Sequence, residues 1–126
     1  MLFEKASFFQ NIKVFEGVPG ITLSYLADIA KEIKLKREET LSIDERSNND
    51  FFIVYSGSVQ YYEKGRYIVD FTVGQFVGEM VAAPTFINPN LLVAKEDTTL
   101  LKINKDQFYE LLSEDVKLAD RVLLFI

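Results

Sequence analysis

The chain has 126 residues, the length of one domain, and 48% of them are hydrophobic, 11 of them Phe, which is apolar material for one real core. Asp and Glu number 19 against 14 Lys and Arg, so the net charge is −5 and the pI about 4.8, a balance that disfavours contact with nucleic-acid phosphates. Cys and His are both absent, which excludes disulfides, thiolate metal sites, imidazole general bases, Ser-His-Asp triads and His-based metal sites.

Met1-Leu2-Phe3-Glu4-Lys5 carries an acid where a signal peptide needs cations and an apolar run, and no stretch approaches the ~20 apolar residues of a membrane helix. A soluble, cytoplasmic chain without membrane insertion is expected. Phe3, Phe8 and Phe9 mark a short N-terminal helix, followed by a turn-rich connector from Val14 to Gly20. Leu23, Leu26, Ile29, Ala30 and Ile33 recur at helical spacing, which predicts a helix from about Thr22 to Ile33 with Asp28, Lys31 and Glu32 on its wet side.

The period then changes. Leu35, Leu41 and Ile43 alternate with polar residues, and Asp44 to Asp50 is polar throughout and reads as a solvated loop. Without a Gly and a distal Glu at EF-hand spacing it is no calcium loop. Phe51 to Tyr55 is a continuous apolar run, typical of a buried strand. Ser56-Gly57 turns the chain, and Val59 to Tyr62 resumes it, with one ring of Tyr61-Tyr62 expected inward and one outward. Lys64-Gly65-Arg66 is a second turn, Tyr67 to Phe71 a further strand, and Leu91–Ala94 and Leu100–Ile103 flank the polar turn Glu96-Asp97-Thr98. Asn104 with Gln107 three residues later forms a capping-box pattern ahead of Phe108, Leu111 and Leu112, and Ser113-Glu114-Asp115 can cap a last helix to Ile126.

The expected architecture is one domain over residues 1–126: helices about 3–33, seven or eight short strands about 34–103, and helices about 104–126. Many short strands with Gly turns indicate a sandwich or barrel-like roll. That order resembles the cyclic-nucleotide-binding domain family. The likeness rests on Phe51-Phe52-Ile53-Val54-Tyr55-Ser56-Gly57-Ser58-Val59, on Asp70 through Met80, and on Leu101 through Phe108. It implies a mainly β fold with flanking α-helices, a cyclic-nucleotide-binding-type β-roll (double-stranded β-helix, or jelly roll). Phe15 through Ala30 is further similar to such domains appended to bacterial nucleotide-translocase-like membrane proteins.

The resemblance also implies a ligand cassette. In the family a Gly-Glu pair precedes an Arg and a small residue; the Glu accepts from a ribose hydroxyl, and the Arg and the next backbone N–H hold the cyclic phosphate. Gly78 and Glu79 match, and Met80 and Val81 continue the segment. Nine residues past Glu79, however, Asn88 stands in the place of the Arg, with Pro89 and Asn90 after it. Asn88 carries no charge and Pro89 no N–H. A charge-assisted hydrogen bond contributes roughly 1.5–3 kcal/mol, so loss of the Arg alone weakens phosphate binding by about one to two decades. No nearby Arg substitutes, since Arg66 lies upstream in a turn and Arg121 in the last predicted helix. Glu38 also stands where the family has a turn Gly.

The expected function is a non-catalytic regulatory domain with weak or lost binding of cAMP or cGMP, at candidate site residues Gly78, Glu79, Met80, Val81, Asn88, Pro89 and Asn90. The alternative is a structural, docking or oligomerisation module of a larger protein, with parent-chain domains or a second copy as partner. A cupin-type enzyme is disfavoured by the absence of His, and no resident cofactor or metal is expected. Nucleic-acid binding is not expected of these residues either, because family transcription factors carry it on a helix-turn-helix beyond the C-terminal helix.

Overall fold

Eight strands in two four-stranded sheets carry the centre of the chain in a computed structural model that describes residues 2–44, 49–77 and 89–114. The strands are β1 (Lys31–Leu35), β2 (Thr40–Ile43), β3 (Asp50–Ser56), β4 (Ser58–Glu63), β5 (Arg66–Thr72), β6 (Phe76–Val77), β7 (Asn90–Ala94) and β8 (Thr98–Asn104). One sheet runs β1-β8-β3-β6 and the other β2-β7-β4-β5. Of the connections, β4 to β5 alone stays within a sheet, and the rest switch sheets, which is the jelly-roll pattern. The chain divides into two compact units, Glu32–Lys102 and a helical one from Met1–Lys31 with Ile103–Ile126.

The roll's core follows from strand alternation. Leu35, Phe52, Val54, Val77 and Leu100 of the first sheet pack against Ile43, Val59, Tyr61, Leu92 and Ala94 of the second. Phe51 and Ile53 point to the other face of β3 and are also buried, so the run from Phe51 to Val54 is continuously apolar because both of its faces are covered. Phe51 stacks on Phe76 there, with ring centroids 5.7 Å apart. Tyr61 is buried and its neighbour Tyr62 half-exposed, the expected one-in, one-out pair.

Glu63-Lys64-Gly65-Arg66 closes the β4–β5 hairpin on a two-residue loop whose φ angles are +50° and +76°, the mirror-turn geometry that suits strand twist. Further along, Tyr61 pairs Val69 while Tyr62 pairs Tyr67, leaving Ile68 as the extra residue of a bulge. The bulge changes the phase of β5, so Tyr67 and Asp70 share the outer face. The Tyr67 hydroxyl donates to Asp70 Oδ1 at 2.9 Å, and Lys95 Nζ donates to Asp70 Oδ2 at 2.7 Å.

Three sheet-switching corners meet at one place. Gly57, between β3 and β4, has φ +86°, and a Cβ there would meet the Thr98 hydroxyl oxygen and lie 2.6 Å from the Asp97 carbonyl oxygen. Ser58 N–H donates to Thr98 Oγ1, and that hydroxyl lies within donating distance of the carbonyls of Ser58 (3.1 Å) and Glu96 (2.8 Å). Lys95 N–H donates to Ser58 O, and the Ser58 hydroxyl donates to Glu96 Oε2. The β1–β2 corner ties in through Glu38 N–H to Ala94 O, Ala94 N–H to Glu39 O and Arg37 N–H to Asp97 Oδ1. Its Lys36–Glu39 turn is closed by Glu39 N–H to Lys36 O, with Glu38 at φ +74°, the type II pattern that favours Gly. A fourth crossing, β5 to β6, is held on β3 by Gly74 N–H to Val54 O and Val54 N–H to Gln75 O.

In the helical unit, α1 (Leu2–Gln10), a short 3-10 turn (Lys13–Phe15), α2 (Gly20–Ile29) and α3 (Lys105–Glu114) bury Phe9, Phe15, Leu23, Leu26, Ala27 and Phe108. Phe9 and Phe15 meet edge to face at 5.6 Å. Gln107 N–H donates to Asn104 Oδ1, the expected cap of α3.

The helix expected from Thr22 to Ile33 instead runs Gly20–Ile29. Ala30 is already extended, with ψ 128°, and its carbonyl accepts from Lys5 Nζ. Lys31 opens β1, and Ile33 packs against the roll core as a strand residue. The helical spacing of Ile33 was a coincidence that β1–β8 pairing overrode. Asp50, expected in a loop, opens β3.

Glu38→Gly should raise stability by up to about 1 kcal/mol, since removal of a Cβ from the left-handed region outweighs the added chain entropy; a thermal melt a few degrees higher is the expected reading. Gly57→Ala combines backbone strain with overpacking against Thr98 and Asp97 and should cost about 2–5 kcal/mol, measured by urea unfolding. The hydrogen bond from Lys95, then that from Tyr67, hold the Asp70 carboxyl below its ordinary value of 3.8, and the same contact to Asp70 raises Lys95. A lowered carboxyl stabilises the fold above its ordinary range, and that contribution is lost as pH falls through the folded value. Asp70→Asn should therefore flatten the fall in melting temperature below pH 3.8 and leave its shape between pH 5 and 8 unchanged.

Candidate functional site

The segment expected to hold the ligand joins the two sheets. Its upstream anchor is Val77, the last residue of β6, buried in the core and paired with Phe52. Its downstream anchor is Asn90, the first residue of β7, paired with Ile43. Gly78, Glu79, Met80, Val81 and Asn88 lie outside the described residues, as does Arg121. Of the expected site, the structure places two members. Pro89 is half-buried immediately before β7, and Asn90 is 1% exposed.

Asn90 has the strand parity of Leu92 and Ala94, both in the core, so it faces the roll interior. On the neighbouring strand the paired register runs through Tyr61 with Leu92 and Tyr62 with Leu91, and Glu63 and Asn90 are the next residue on each strand. Glu63 in turn shares the parity of Val59 and Tyr61, and it is 8% exposed. The Tyr61 hydroxyl donates a short hydrogen bond to Glu63 Oε2. Among the described residues the interior thus has a polar group, made of the Tyr61 phenol, the Glu63 carboxylate and Asn90, where β4 ends and β7 begins.

The electrostatics follow the geometry. Burial pushes the Tyr61 phenol well above its ordinary range, and the hydrogen bond to Glu63 and that residue's negative charge push it further. The phenol is therefore a permanent donor at neutral pH. Its ring lies 5.9 Å from that of Phe71. Every buried side-chain polar atom among the described residues has a partner.

The sequence reading singled out Asn90 and missed Tyr61 and Glu63 as its neighbours. The signal was present in the alternation Val59-x-Tyr61-x-Glu63, which puts a carboxylate on the face of two core residues.

The helical unit has its own groove of about 260 Å³, lined by Tyr25, Asp28, Ile29, Gln107, Glu110 and Leu111. Among the described residues no acidic cluster has the makings of a metal site, and no helix is long and apolar enough to cross a membrane.

The sequence model of the cyclic nucleotide-binding domain matches residues 32–115, two thirds of the chain, and the chain belongs to that family. Solved structures agree on the fold. The sensor domain of the transcriptional regulator DNR from Pseudomonas aeruginosa superposes with a TM-score of 0.79 at 14% identity, covering 98% of this chain and 86% of that one. A cyclic nucleotide-binding domain from Methylobacillus flagellatus gives 0.71 at 21% identity, covering 97% and 71%. The regulatory subunit of a cAMP-independent protein kinase A from Trypanosoma cruzi, bound to guanosine, gives 0.71 at 19% identity and covers 95% of this chain. The chain spans 45% of that subunit and 41% of another solved chain it matches. No curated protein matches the chain.

Proposed function

We propose that this chain is a non-catalytic regulatory domain, acting in the cytoplasm, whose roll binds cAMP and cGMP weakly or not at all. The observation that carries the reading is Asn88-Pro89 at the positions where the family pattern has Arg and a free backbone N–H. Pro89 directly precedes the buried Asn90, so the missing N–H falls where the chain enters the roll. Gly78, Glu79, Met80 and Val81 would keep the ribose side of such a site, and Asn88, Pro89 and Asn90 its altered phosphate side. A neutral ligand is compatible with this division: the trypanosomal regulatory subunit, which shares the fold, is bound to guanosine, a nucleoside with no phosphate.

The second reading is a docking or oligomerisation module of a larger protein, with parent-chain domains or a second copy as partner. What favours it is that the described part of the roll interior holds together on protein contacts, with Tyr61 packed against Phe71 and bonded to Glu63.

Calorimetry of the natural chain with cAMP and cGMP, beside Asn88→Arg, Pro89→Ala, separates the readings. The expected result is Kd in the high micromolar range or weaker for the natural chain, with a gain of about one to two decades in the double variant. Submicromolar binding of either cyclic nucleotide by the natural chain would overturn the reading. Association without nucleotide, measured by sedimentation, would select the docking module.

A further inference from the structure

β5 closes one edge of its sheet, with β4 as its neighbour among the described strands. An edge strand offers unpaired N–H and C=O groups, which proteins commonly blunt with charge or proline. Here the blunting is confined to one end. Thr72 N–H donates to Gln75 Oε1 and Thr72 O accepts from Gln75 N–H, so the main-chain groups of Thr72 point away from β4 and are satisfied. Main-chain direction alternates along a strand, so the Asp70 N–H and C=O also point onto the open edge. The side chains beside them are apolar. Tyr67, Ile68 and Val69 of β5, with Val73 in the turn after it, are between 41% and 54% exposed, and they are the exposed large hydrophobics of the described roll. The bulge at Ile68 adds an apolar side chain to this edge and no charge.

Charge is divided along the strand. Lys64 and Arg66 are exposed at its start and form no ion pair among the described residues. Asp70 lies toward its end, where the Lys95 charge is offset by Asp70 and by Glu96, both of which act on it. The edge is therefore complementary to itself when reversed. Antiparallel pairing of two copies sets the positive start of each β5 beside the negative end of the other and brings the apolar segments from Tyr67 to Val69 together at the centre. Parallel pairing would set like charges side by side.

We propose that β5 is a dimer interface, at which two copies of this chain join edge to edge about a two-fold axis near Ile68, so that two four-stranded sheets become one continuous sheet. The proposal rests on the oligomerisation reading above and not on the nucleotide one.

The test is sedimentation equilibrium of the chain without nucleotide, beside Ile68→Lys, Arg66→Glu and Asp70→Lys. The natural chain should dimerise with a Kd of about 100 μM or tighter. Ile68→Lys should weaken the dimer by about tenfold or more, since it sets a cation against its own copy at the axis. Arg66→Glu and Asp70→Lys should each weaken it alone, and an equal mixture of the two should associate about tenfold more tightly than either, because both charge pairs are restored in the mixed dimer. A natural chain that stays monomeric at about 1 mM overturns the proposal and the oligomerisation reading together. A dimer unaffected by Ile68→Lys overturns the β5 surface alone, as does a mixture no tighter than its components. Thermal melts check folding; if a variant unfolds, amide exchange of the natural chain serves in its place. The Asp70 N–H should exchange more slowly as the concentration rises, and exchange independent of concentration overturns the proposal.

Discussion

The Thr98 hydroxyl seated against Gly57 is the contact on which the roll depends. A jelly roll switches sheets at nearly every connection, and each switch leaves backbone groups that no ladder can pair. Here the β3–β4 and β7–β8 switches supply each other's partners through Ser58, Glu96 and Thr98, and the β1–β2 turn joins them at Ala94 and Asp97. The approach is close enough that position 57 has no room for a side chain. One Gly therefore sets the relative position of four strands in two sheets, and through them the spacing of the interior.

That interior is apolar along most of its length and polar at one end. A buried carboxylate is costly unless it accepts hydrogen bonds, and the Tyr61 phenol meets part of that need. Its position matters more than its presence. Glu63 and Asn90 lie where β4 and β7 run out and the segment toward β6 begins, so the polar end coincides with the end at which the family pattern departs from Arg. The fold is the family's, but function resides in the site carried on it.

Much of the fold was legible in the chain. The apolar run Phe51–Val54 announced a strand covered on both faces, Lys64-Gly65 a two-residue hairpin, and Asn104 with Gln107 a helix start. The Ser56-Gly57 turn and the departure at Glu38 were legible as well, and both proved to have positive φ in or beside them. What misled was local spacing with two meanings. Ile33 fits the helical stripe of Leu26 and Ile29 but belongs to β1, and Phe15 and Val18 read as connector while being buried core.

The sequence by itself determined the class of the fold, the family and the order of most of the elements. These are properties of residue type and local period, and they need no partner to be read. Only the tertiary structure decided that Gly57 is a point of contact between two corners, that β1 begins at Lys31, and that Glu63 and Asn90 are both buried. Each of those rests on contacts between segments far apart in the chain, such as the 40 residues between Ser58 and Thr98. Strand register is set by the summed burial of whole sheets, and no local window of the sequence contains that sum.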